Sequence, residues 1–203
     1  MNSPLNSVVA GSFGHLASHA LIQRAGEWAK NDPHAPTRTQ VETLVAAASA
    51  GDAAAVQSIH KLFSSCIQFG TAGMRGVMEA GCAGLNYVTA LQMAQGTCDM
   101  LLVEAGTRGQ TAADVSVVIG FDHRSNAANG INSKGIAAVI SAAFLSRSVR
   151  VHLFTDFCHT PLVPFTVRAL AASAGIMVTA SHNPKLDNGI KVYAGSFIEI
   201  ENV

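Results

Sequence analysis

The sequence predicts an α/β fold: a doubly wound, mostly parallel sheet with helices on both faces, preceded by an N-terminal helical extension. From residue 67 onward, short apolar runs alternate with longer segments of helical periodicity. The run over residues 115–121 is almost wholly apolar, as expected for a strand covered on both faces. The segments between successive strands are long enough for helical crossovers, which join parallel strands. We expect an extension over residues 1–66 and an α/β domain over residues 67–203.

Three helices are predicted in the extension. The first covers residues 15–30. Thr37 and Gln40 have the spacing of a capping box, which places the start of the second helix at this point. Gly51 ends the second helix and Asp52 caps the third. The two later helices carry apolar residues at helical spacing, namely Val41, Leu44, Val45 and Ala48 in one and Val56, Ile59 and Phe63 in the other.

The α/β domain begins with a Gly-rich loop around one arginine, residues 70–76. After it the pattern predicts helices and strands in alternation. The last two apolar segments alternate apolar with polar residues and predict a hairpin at an edge of the sheet, over residues 190–193 and 197–200. Before them we expect helices over 87–103, 131–147 and 161–172 and strands over 115–121, 149–154 and 175–179.

Composition excludes several classes of protein. The chain has 203 residues, of which 49% are hydrophobic and 13% charged, with 13 Lys and Arg against 13 Asp and Glu. A disordered chain needs low hydrophobicity and a high net charge, so this composition excludes one. A nucleic-acid-binding protein that uses a basic face needs an excess of cationic residues. The apolar runs are also much shorter than the roughly 20 residues of a membrane-spanning helix, so we expect neither a nucleic-acid nor a membrane partner.

The cysteines predict neither a zinc knuckle nor a thioredoxin-like site, because no two of them form a CxxC pair. We interpret them as reduced, mostly buried thiols of an intracellular protein. The first basic residue is Arg24, so the N-terminus has no basic segment of the secretory or transit type. The expected location is the cytoplasm, and the four cysteines are Cys66, Cys82, Cys98 and Cys158.

Three polar loops follow the predicted parallel strands, over residues 122–126, 155–161 and 180–185. Ligands of open α/β sheets bind beyond the carboxyl ends of the strands. We therefore expect these loops to meet at one edge of the sheet, joined there by the Gly-rich loop and its Arg75. Their side chains are of the types that hold or transfer phosphate.

Ser181 lies where a buried strand gives way to a turn that Asn183 and the following proline favour. Such a position exposes a hydroxyl that can act as a nucleophile, provided that a base or a preformed ester activates it. His182 is adjacent in sequence but points the opposite way along an extended chain. Lys191 is the better partner in this pattern, and Arg75 supplies a guanidinium fork that suits phosphate.

Each of these candidate site residues also has a purely structural interpretation. The Ser-His-Asn-Pro stretch also fits an ordinary turn, and Lys191 also fits a solvated lysine on an edge strand. Arg75 also fits a structural or solvent-facing arginine. Asp122 and Arg124 have a spacing at which they could simply pair with each other.

Five motifs occur in an order that resembles the α-D-phosphohexomutase family, and most closely its phosphoglucomutase/phosphopentomutase branch. The likeness runs from about residue 24 to residue 193. The stretch around the serine is its most specific part. The motifs are FGTAGMRG (69–76), FDHR (121–124), TPLVPF (160–165), TASHNPK (179–185) and DNGIKVY (187–193).

The resemblance implies a mechanism. A serine carried as phosphoserine gives its phosphoryl group to a sugar monophosphate, and the resulting bisphosphate turns over and returns its other phosphate to the serine. A phosphate has then moved between C1 and C6 of a hexose, or C1 and C5 of a pentose. The family also implies Mg²⁺ bound to the phosphoserine, here Ser181. By residue, it implies catalytic roles for Ser181, His182, Lys191 and Arg75, and substrate binding by Thr71, Arg75, Ser181, His182, Asn183 and Lys191.

The sequence also departs from the family. Family members have four domains, and the remaining Mg²⁺ ligands come from an Asp-rich loop in the second. No D-x-D-x-D-R stretch occurs in this sequence. We expect the serine-bearing first domain, as a fragment or a truncated gene product with the small-molecule partner of a phosphomutase. The alternative is an inactive module that folds and binds a sugar phosphate or a partner, while a serine hydrolase is disfavoured because G-x-S-x-G is absent around Ser181.

Overall fold

The structure is a computed structural model that describes residues 4–70 and 73–195, with side chains from Ser18 onward. It divides into two compact units. The first comprises the chain up to Cys66 together with Ala80–Gly84. The second comprises Ile67–Glu79 and the chain from Leu85 onward. None of the helices described is long and apolar enough to cross a membrane.

The first unit consists of α1 (Pro4–Asn31), α2 (Ala35–Ser49) and α3 (Ala53–Phe63), together with the short segment Ala80–Gly84. The three predicted helices are present. Its core includes an edge-to-face contact between the rings of Trp28 and Phe63, whose centroids are 5.8 Å apart. Burial of such aromatic surfaces is the main favourable term that holds short helices together.

Two predicted helix starts have different outcomes. Asp52 caps α3 as predicted, since its Oδ1 accepts hydrogen bonds from the backbone N–H groups of Ala54 and Ala55. The capping box at Thr37 is wrong, because α2 begins two residues earlier, at Ala35. The Thr37 hydroxyl instead donates to the carboxylate of Asp32 at 2.5 Å, and proline near the first turn starts the helix.

The second unit is a sheet covered by helices. The strands described form one six-stranded sheet in the order β1-β2-β6-β5-β3-β4. Its helices are α4 (Tyr87–Thr107), α5 (Ser133–Leu145) and α6 (Leu162–Ala169). Its strands are β1 (Phe69–Gly70), β2 (Gly73–Val77), β3 (Ser116–Phe121), β4 (Arg150–Leu153), β5 (Ala174–Val178) and β6 (Asp187–Ala194).

The α/β class is confirmed, and the sheet is mixed. β4, β3 and β5 are mutually parallel, as predicted. The prediction of a mostly parallel sheet does not hold for the other half, because β6, β2 and β1 add by antiparallel pairing. The connection from β5 to β6 covers only residues 179–186, which is too short for the crossover of about a dozen residues that parallel pairing requires.

β6 lies inside the sheet, between β5 and β2. The prediction of a hairpin edge at this place is therefore wrong for residues 190–193, and residues 197–200 lie outside the described residues. The interpretation of Lys191 as an edge-strand lysine is wrong for the same reason. The predicted Gly-rich loop over residues 70–76 overlaps strands β1 and β2, which pair with each other in an antiparallel manner.

Helices cover both faces of the sheet. Side chains of α4 and α5 form one apolar cluster with alternate residues of the strands, including Val117 and Ile190. Side chains of α6 form a second cluster with the intervening residues, such as Val118 and Met177. β6 keeps this alternation, since Val192 packs on the first cluster and Tyr193 on the second.

Candidate active site

Ser181 lies at the carboxyl end of β5, on residues 179–186, which we call the serine loop. Its backbone has φ +57°, in the left-handed region that residues other than glycine rarely adopt. Its N–H donates to the hydroxyl of Thr179 at 2.9 Å, and the N–H of Asn183 donates to the carbonyl of Ala180 at 3.0 Å. These two bonds fold the chain sharply beyond the strand and leave Ser181 exposed.

Arg124 holds the serine loop through its backbone. Its Nη2 donates to the carbonyl oxygens of Ser181 at 2.8 Å and Asn183 at 3.1 Å. Its Nη1 donates to the carbonyl oxygens of Pro184 at 2.7 Å and Asp187 at 2.9 Å. Hydrogen bonds from a charged donor are stronger than neutral ones, so this side chain fixes the shape of the loop.

The Arg124 side chain is only 11% exposed, and a network of buried polar groups holds it in place. Its Nε donates to Oδ2 of Asp122 at 3.2 Å. Oδ1 of Asp122 accepts from the Ser133 hydroxyl at 2.6 Å, and that hydroxyl accepts from Nδ2 of Asn188 at 2.8 Å. Ser133 and Asn188 are fully buried. The pairing of Asp122 with Arg124 is therefore present, as part of a larger network that reaches β6.

The role of Arg124 was not predicted from the sequence. Asp122 and Arg124 were expected at most to pair with each other, with no contact to the serine loop. The available signal was position: Arg124 follows the carboxyl end of β3, and β5 is the neighbouring parallel strand. Loops at the ends of adjacent parallel strands meet at one edge.

Arg75 reaches the serine loop from β2. Its Nη1 donates to the side-chain oxygen of Asn183 at 2.8 Å. Nδ2 of Asn183 in turn donates to the carboxylate of Asp187 at 3.1 Å. Arg75 is exposed, so its remaining donors face solvent beside the serine loop. The structure therefore brings together the guanidinium and the turn that the sequence predicted to meet.

Lys191 and Arg75 line one open cavity of about 300 Å³. Lys191 lies opposite Gly73 in the β2–β6 pairing. A Cβ on Gly73 would clash with the carbonyl oxygen of Ile190, so only glycine permits this close approach of the two strands. Thr179, two residues before Ser181, also lines the cavity, and the full lining is Gly73, Met74, Arg75, Thr179, Ile190 and Lys191.

The remaining predicted site residues have different positions. His182 is exposed in the serine loop next to Ser181. Thr71 lies outside the described residues. The loop over residues 155–161 packs on the end of β3, where the Phe157 ring contacts those of Phe121 and His123 with centroids 5.9 and 6.2 Å away.

The described residues do not by themselves fit a magnesium site. Across residues 4–70 and 73–195, no group of three His, Cys, Asp or Glu side chains is placed to hold a metal ion. The carboxylates bonded to the serine-loop network are already engaged, Asp122 by Arg124 and Ser133 and Asp187 by Asn183. Mg²⁺ needs near-octahedral oxygen coordination, which one serine cannot supply.

Several known proteins are similar in sequence to most of this chain. A phosphopentomutase of Mus musculus is 39% identical over 173 residues, which are 85% of this chain and 26% of that protein. A phosphoribomutase of Saccharomyces cerevisiae is 39% identical over 176 residues, 85% of this chain and 25% of that protein. A glucose 1,6-bisphosphate synthase of Homo sapiens is 33% identical over 192 residues, 93% of this chain and 29% of that protein. The chain spans about a quarter of the length of these relatives.

A solved structure and a protein family also match this chain. A solved structure described as a putative phosphomannomutase from Thermus thermophilus is similar with a TM-score of 0.52 and 31% identity, over 64% of this chain and 26% of that one. Residues 67–202 match the family described as phosphoglucomutase/phosphomannomutase, alpha/beta/alpha domain I. The predicted resemblance to α-D-phosphohexomutases is confirmed: the chain belongs to the phosphoglucomutase/phosphomannomutase family and carries its α/β/α domain I.

Proposed function

We propose that this chain is the serine-bearing domain of a sugar-phosphate phosphomutase and that Ser181 carries the transferred phosphoryl group. The observation that supports this most directly is the position of Ser181: it is exposed, and Arg124 fixes its backbone. Arg75 contacts the same loop, and Arg75, Lys191 and Thr179 line one cavity. Membership of the family supports the reaction class.

In the proposed reaction, the phosphoryl group passes from the Ser181 oxygen to a hydroxyl of a sugar monophosphate. The O–P bond of the phosphoserine breaks, a bond forms to the sugar oxygen, and the hydroxyl proton passes to the serine oxygen, directly or through a nearby base. The sugar bisphosphate then turns over and returns its other phosphate to Ser181. The net change is an isomerisation that moves phosphate between C1 and C6 of a hexose, or C1 and C5 of a pentose.

The geometry suits this chemistry. Phosphoryl transfer depends mainly on positioning and on stabilising the charge of the phosphoryl oxygens. The guanidinium of Arg75 presents a planar fork to phosphate, and the ammonium of Lys191 presents a point charge and a proton. We assign charge stabilisation and proton transfer to these two groups. We assign substrate contacts to Thr71, His182 and Asn183, together with Arg75 and Lys191.

The relatives favour a pentose phosphate as the substrate. The phosphopentomutase and the phosphoribomutase are each 39% identical to this chain, and the glucose 1,6-bisphosphate synthase is 33% identical. A hexose phosphate is the second candidate, and the experiment below compares the two. In either case the proposed partner is a small molecule, not a nucleic acid or a membrane.

Residues 1–66 act as a helical extension and residues 67–203 as the first domain of the family. Mg²⁺ would be held by the phosphorylated Ser181 together with ligands from outside this chain, and it would supply positive charge to the phosphoryl oxygens. The cytoplasmic location stays a prediction.

The test is phosphorylation of the chain. The protein is purified in a form that also carries the proposed outside ligands of Mg²⁺. It is incubated with Mg²⁺ and either ribose 1,5-bisphosphate or glucose 1,6-bisphosphate, and the phosphorylated residue is mapped by mass spectrometry. We expect one phosphoryl group on Ser181, gained faster from the pentose, and none in Ser181→Ala. Phosphorylation at another residue contradicts the assignment, and binding of sugar phosphate without any phosphorylation favours the inactive binding module.

A further inference from the structure

Two cysteines of the first unit lie close together and take no part in the proposed phosphoryl transfer. Cys66 follows the end of α3 and is exposed. Cys82 lies in the segment Ala80–Gly84 and is half-buried. Sixteen positions separate them in the sequence, so the fold, not sequence adjacency, brings them together.

The segment that carries Cys82 is fixed against the end of α3. The N–H of Ala83 donates to the carbonyl oxygen of Leu62 at 3.1 Å. Gly81 has φ +87°, and a Cβ at this position would lie 2.5 Å from the same oxygen. Glycine is therefore required at position 81, and its close approach holds Cys82 beside the turn that leads to Cys66.

Arg24, on α1, connects the two thiols. Its Nη1 donates to the carbonyl oxygen of Phe63 at 3.0 Å, which anchors the guanidinium at the end of α3. Its Nη2 donates to Sγ of Cys66 at 2.9 Å. The side chain of Cys82 interacts with the same guanidinium and with Cys66. One arginine and two thiols thus form a single cluster in the first unit.

We propose that Cys66 and Cys82 are a peroxide-sensitive dithiol that closes to a disulfide. A guanidinium that donates to a cysteine sulfur, as Arg24 does to Cys66, stabilises negative charge on that sulfur when it attacks a peroxide. A second thiol next to the first can resolve the oxidised sulfur before it is oxidised further. The cluster contains both features, with the exposed sulfur on Cys66 and the protected one on Cys82.

The chemistry balances in two steps. The Cys66 thiolate attacks one oxygen of hydrogen peroxide, the O–O bond breaks, and the departing hydroxide leaves as water after taking a proton. Cys66 is then a sulfenic acid. The Cys82 thiolate attacks its sulfur, the S–O bond breaks, and a second water leaves. Two thiols lose two electrons in total, and the peroxide gains them.

The surroundings of the two thiols indicate which one attacks the peroxide and which one closes the disulfide. Cys82 is half-buried, so peroxide reaches it less readily, and burial raises the pKa of its thiol although the charge of Arg24 opposes that rise. The exposed Cys66 meets the peroxide first. Cys98 and Cys158 are buried, and burial raises the pKa of both thiols. They serve as internal controls that peroxide should not reach.

The experiment treats the folded chain with hydrogen peroxide, blocks remaining thiols with N-ethylmaleimide after denaturation, and maps peptides without reduction. We expect a peptide linked through Cys66 and Cys82 that disappears after dithiothreitol, with Cys98 and Cys158 still blocked by maleimide. Full maleimide labelling of Cys66 and Cys82 after peroxide treatment overturns the proposal. So does irreversible oxidation of Cys66 while Cys82 stays a thiol.

Three variants separate the roles. Cys82→Ser should leave a sulfenic acid on Cys66 that dimedone traps, and Cys66→Ser should prevent oxidation of Cys82. Arg24→Gln should slow formation of the disulfide several-fold.

The matched control is Arg38→Gln in the same unit, because Arg38 also donates to a backbone carbonyl, that of Asp32 at 2.9 Å. Disulfide formation in Arg38→Gln should proceed at the original rate, with circular dichroism confirming that both arginine variants are folded. Equal slowing in both arginine variants overturns the role of Arg24. Dimedone labelling that appears on Cys82 in place of Cys66 overturns the assignment of the two steps.

Discussion

Nη2 of Arg124 donates a hydrogen bond of 2.8 Å to the carbonyl oxygen of Ser181. A side chain that follows β3 thereby sets the backbone of a residue that follows β5. The relationship explains how Ser181 keeps φ +57° without glycine, since an unfavourable backbone conformation persists only where surrounding contacts determine it. The backbone that carries the hydroxyl is consequently fixed before any ligand arrives.

Replacing Arg124 by glutamine removes the charged donor to the serine loop and leaves the carboxylate of Asp122 without its ionic partner. We expect the free energy of unfolding to fall by about 3 kcal/mol, the scale for breaking a buried ion pair. Phosphorylation of Ser181 should also slow markedly, because the loop loses its fixed shape. Urea denaturation and the mass-spectrometric assay measure the two effects.

The control for Arg124 is Arg147→Gln. Arg147 pairs with Asp99 on the surface, with side chains 49% and 59% exposed. Removing such a pair should change the free energy of unfolding by less than about 1 kcal/mol. If Arg124→Gln is no more destabilising than Arg147→Gln, the contacts of Arg124 with the serine loop do not stabilise the fold.

At Ser181, two substitutions distinguish chemistry from conformation. Ser181→Ala removes the hydroxyl and keeps a Cβ, so phosphorylation should be lost while stability stays close to that of the original. Ser181→Gly also removes the hydroxyl but relieves the left-handed backbone, and it should be more stable than Ser181→Ala by about 1 kcal/mol. Thermal denaturation of the two variants gives the comparison, and equal stability would show that φ +57° carries no strain.

Lys191→Met keeps the length and the apolar stem of the side chain but removes its charge. We expect slower phosphorylation of Ser181 with little change in stability, because Lys191 is half-buried in the cavity wall and the sheet pairing of β6 is a backbone property. Lys30→Met is the control, since Lys30 is exposed and pairs only with Glu27 in the contacts described for its side chain. An unchanged rate in Lys191→Met would remove this lysine from the site.

Gly73→Ala should be strongly destabilising, because a Cβ would clash with the carbonyl of Ile190 and the backbone has φ +140°. We expect a loss of more than about 3 kcal/mol in the free energy of unfolding, from overpacking and strain together. Gly96 in α4 has open space around its Cβ position, so Gly96→Ala should stabilise by about 1 kcal/mol. Urea denaturation of both variants provides the measurement, and a stable Gly73→Ala contradicts the requirement for glycine.

Local patterns were sufficient for much of the fold. The apolar run of β3 predicted a strand covered on both faces, and all six of its residues are buried. The polar cap of α3 at Asp52 was predictable because its hydrogen bonds are to the next few residues. β6 was placed at an edge because one of its two partners is remote: β2 lies more than 100 residues earlier, and no local signal reports such a pairing.

The candidate site shows the same division. Ser181, Arg75 and Lys191 were identified from motifs in the chain and from the family resemblance. The role of Arg124 was missed because it acts on backbone carbonyls, which every residue has and no sequence motif reveals. Only the folded arrangement shows which carbonyl oxygens converge on one guanidinium.

Because Arg124 binds main-chain oxygen atoms, the serine loop should tolerate substitution of its exposed side chains. These hydrogen bonds of Arg124 are to carbonyl oxygens, so they do not depend on which side chains the loop residues carry. Exposed positions such as His182 and Lys185 can therefore be varied without loss of the backbone frame that carries Ser181. The main chain of the loop is thus held in one shape while its exposed side chains remain open to replacement.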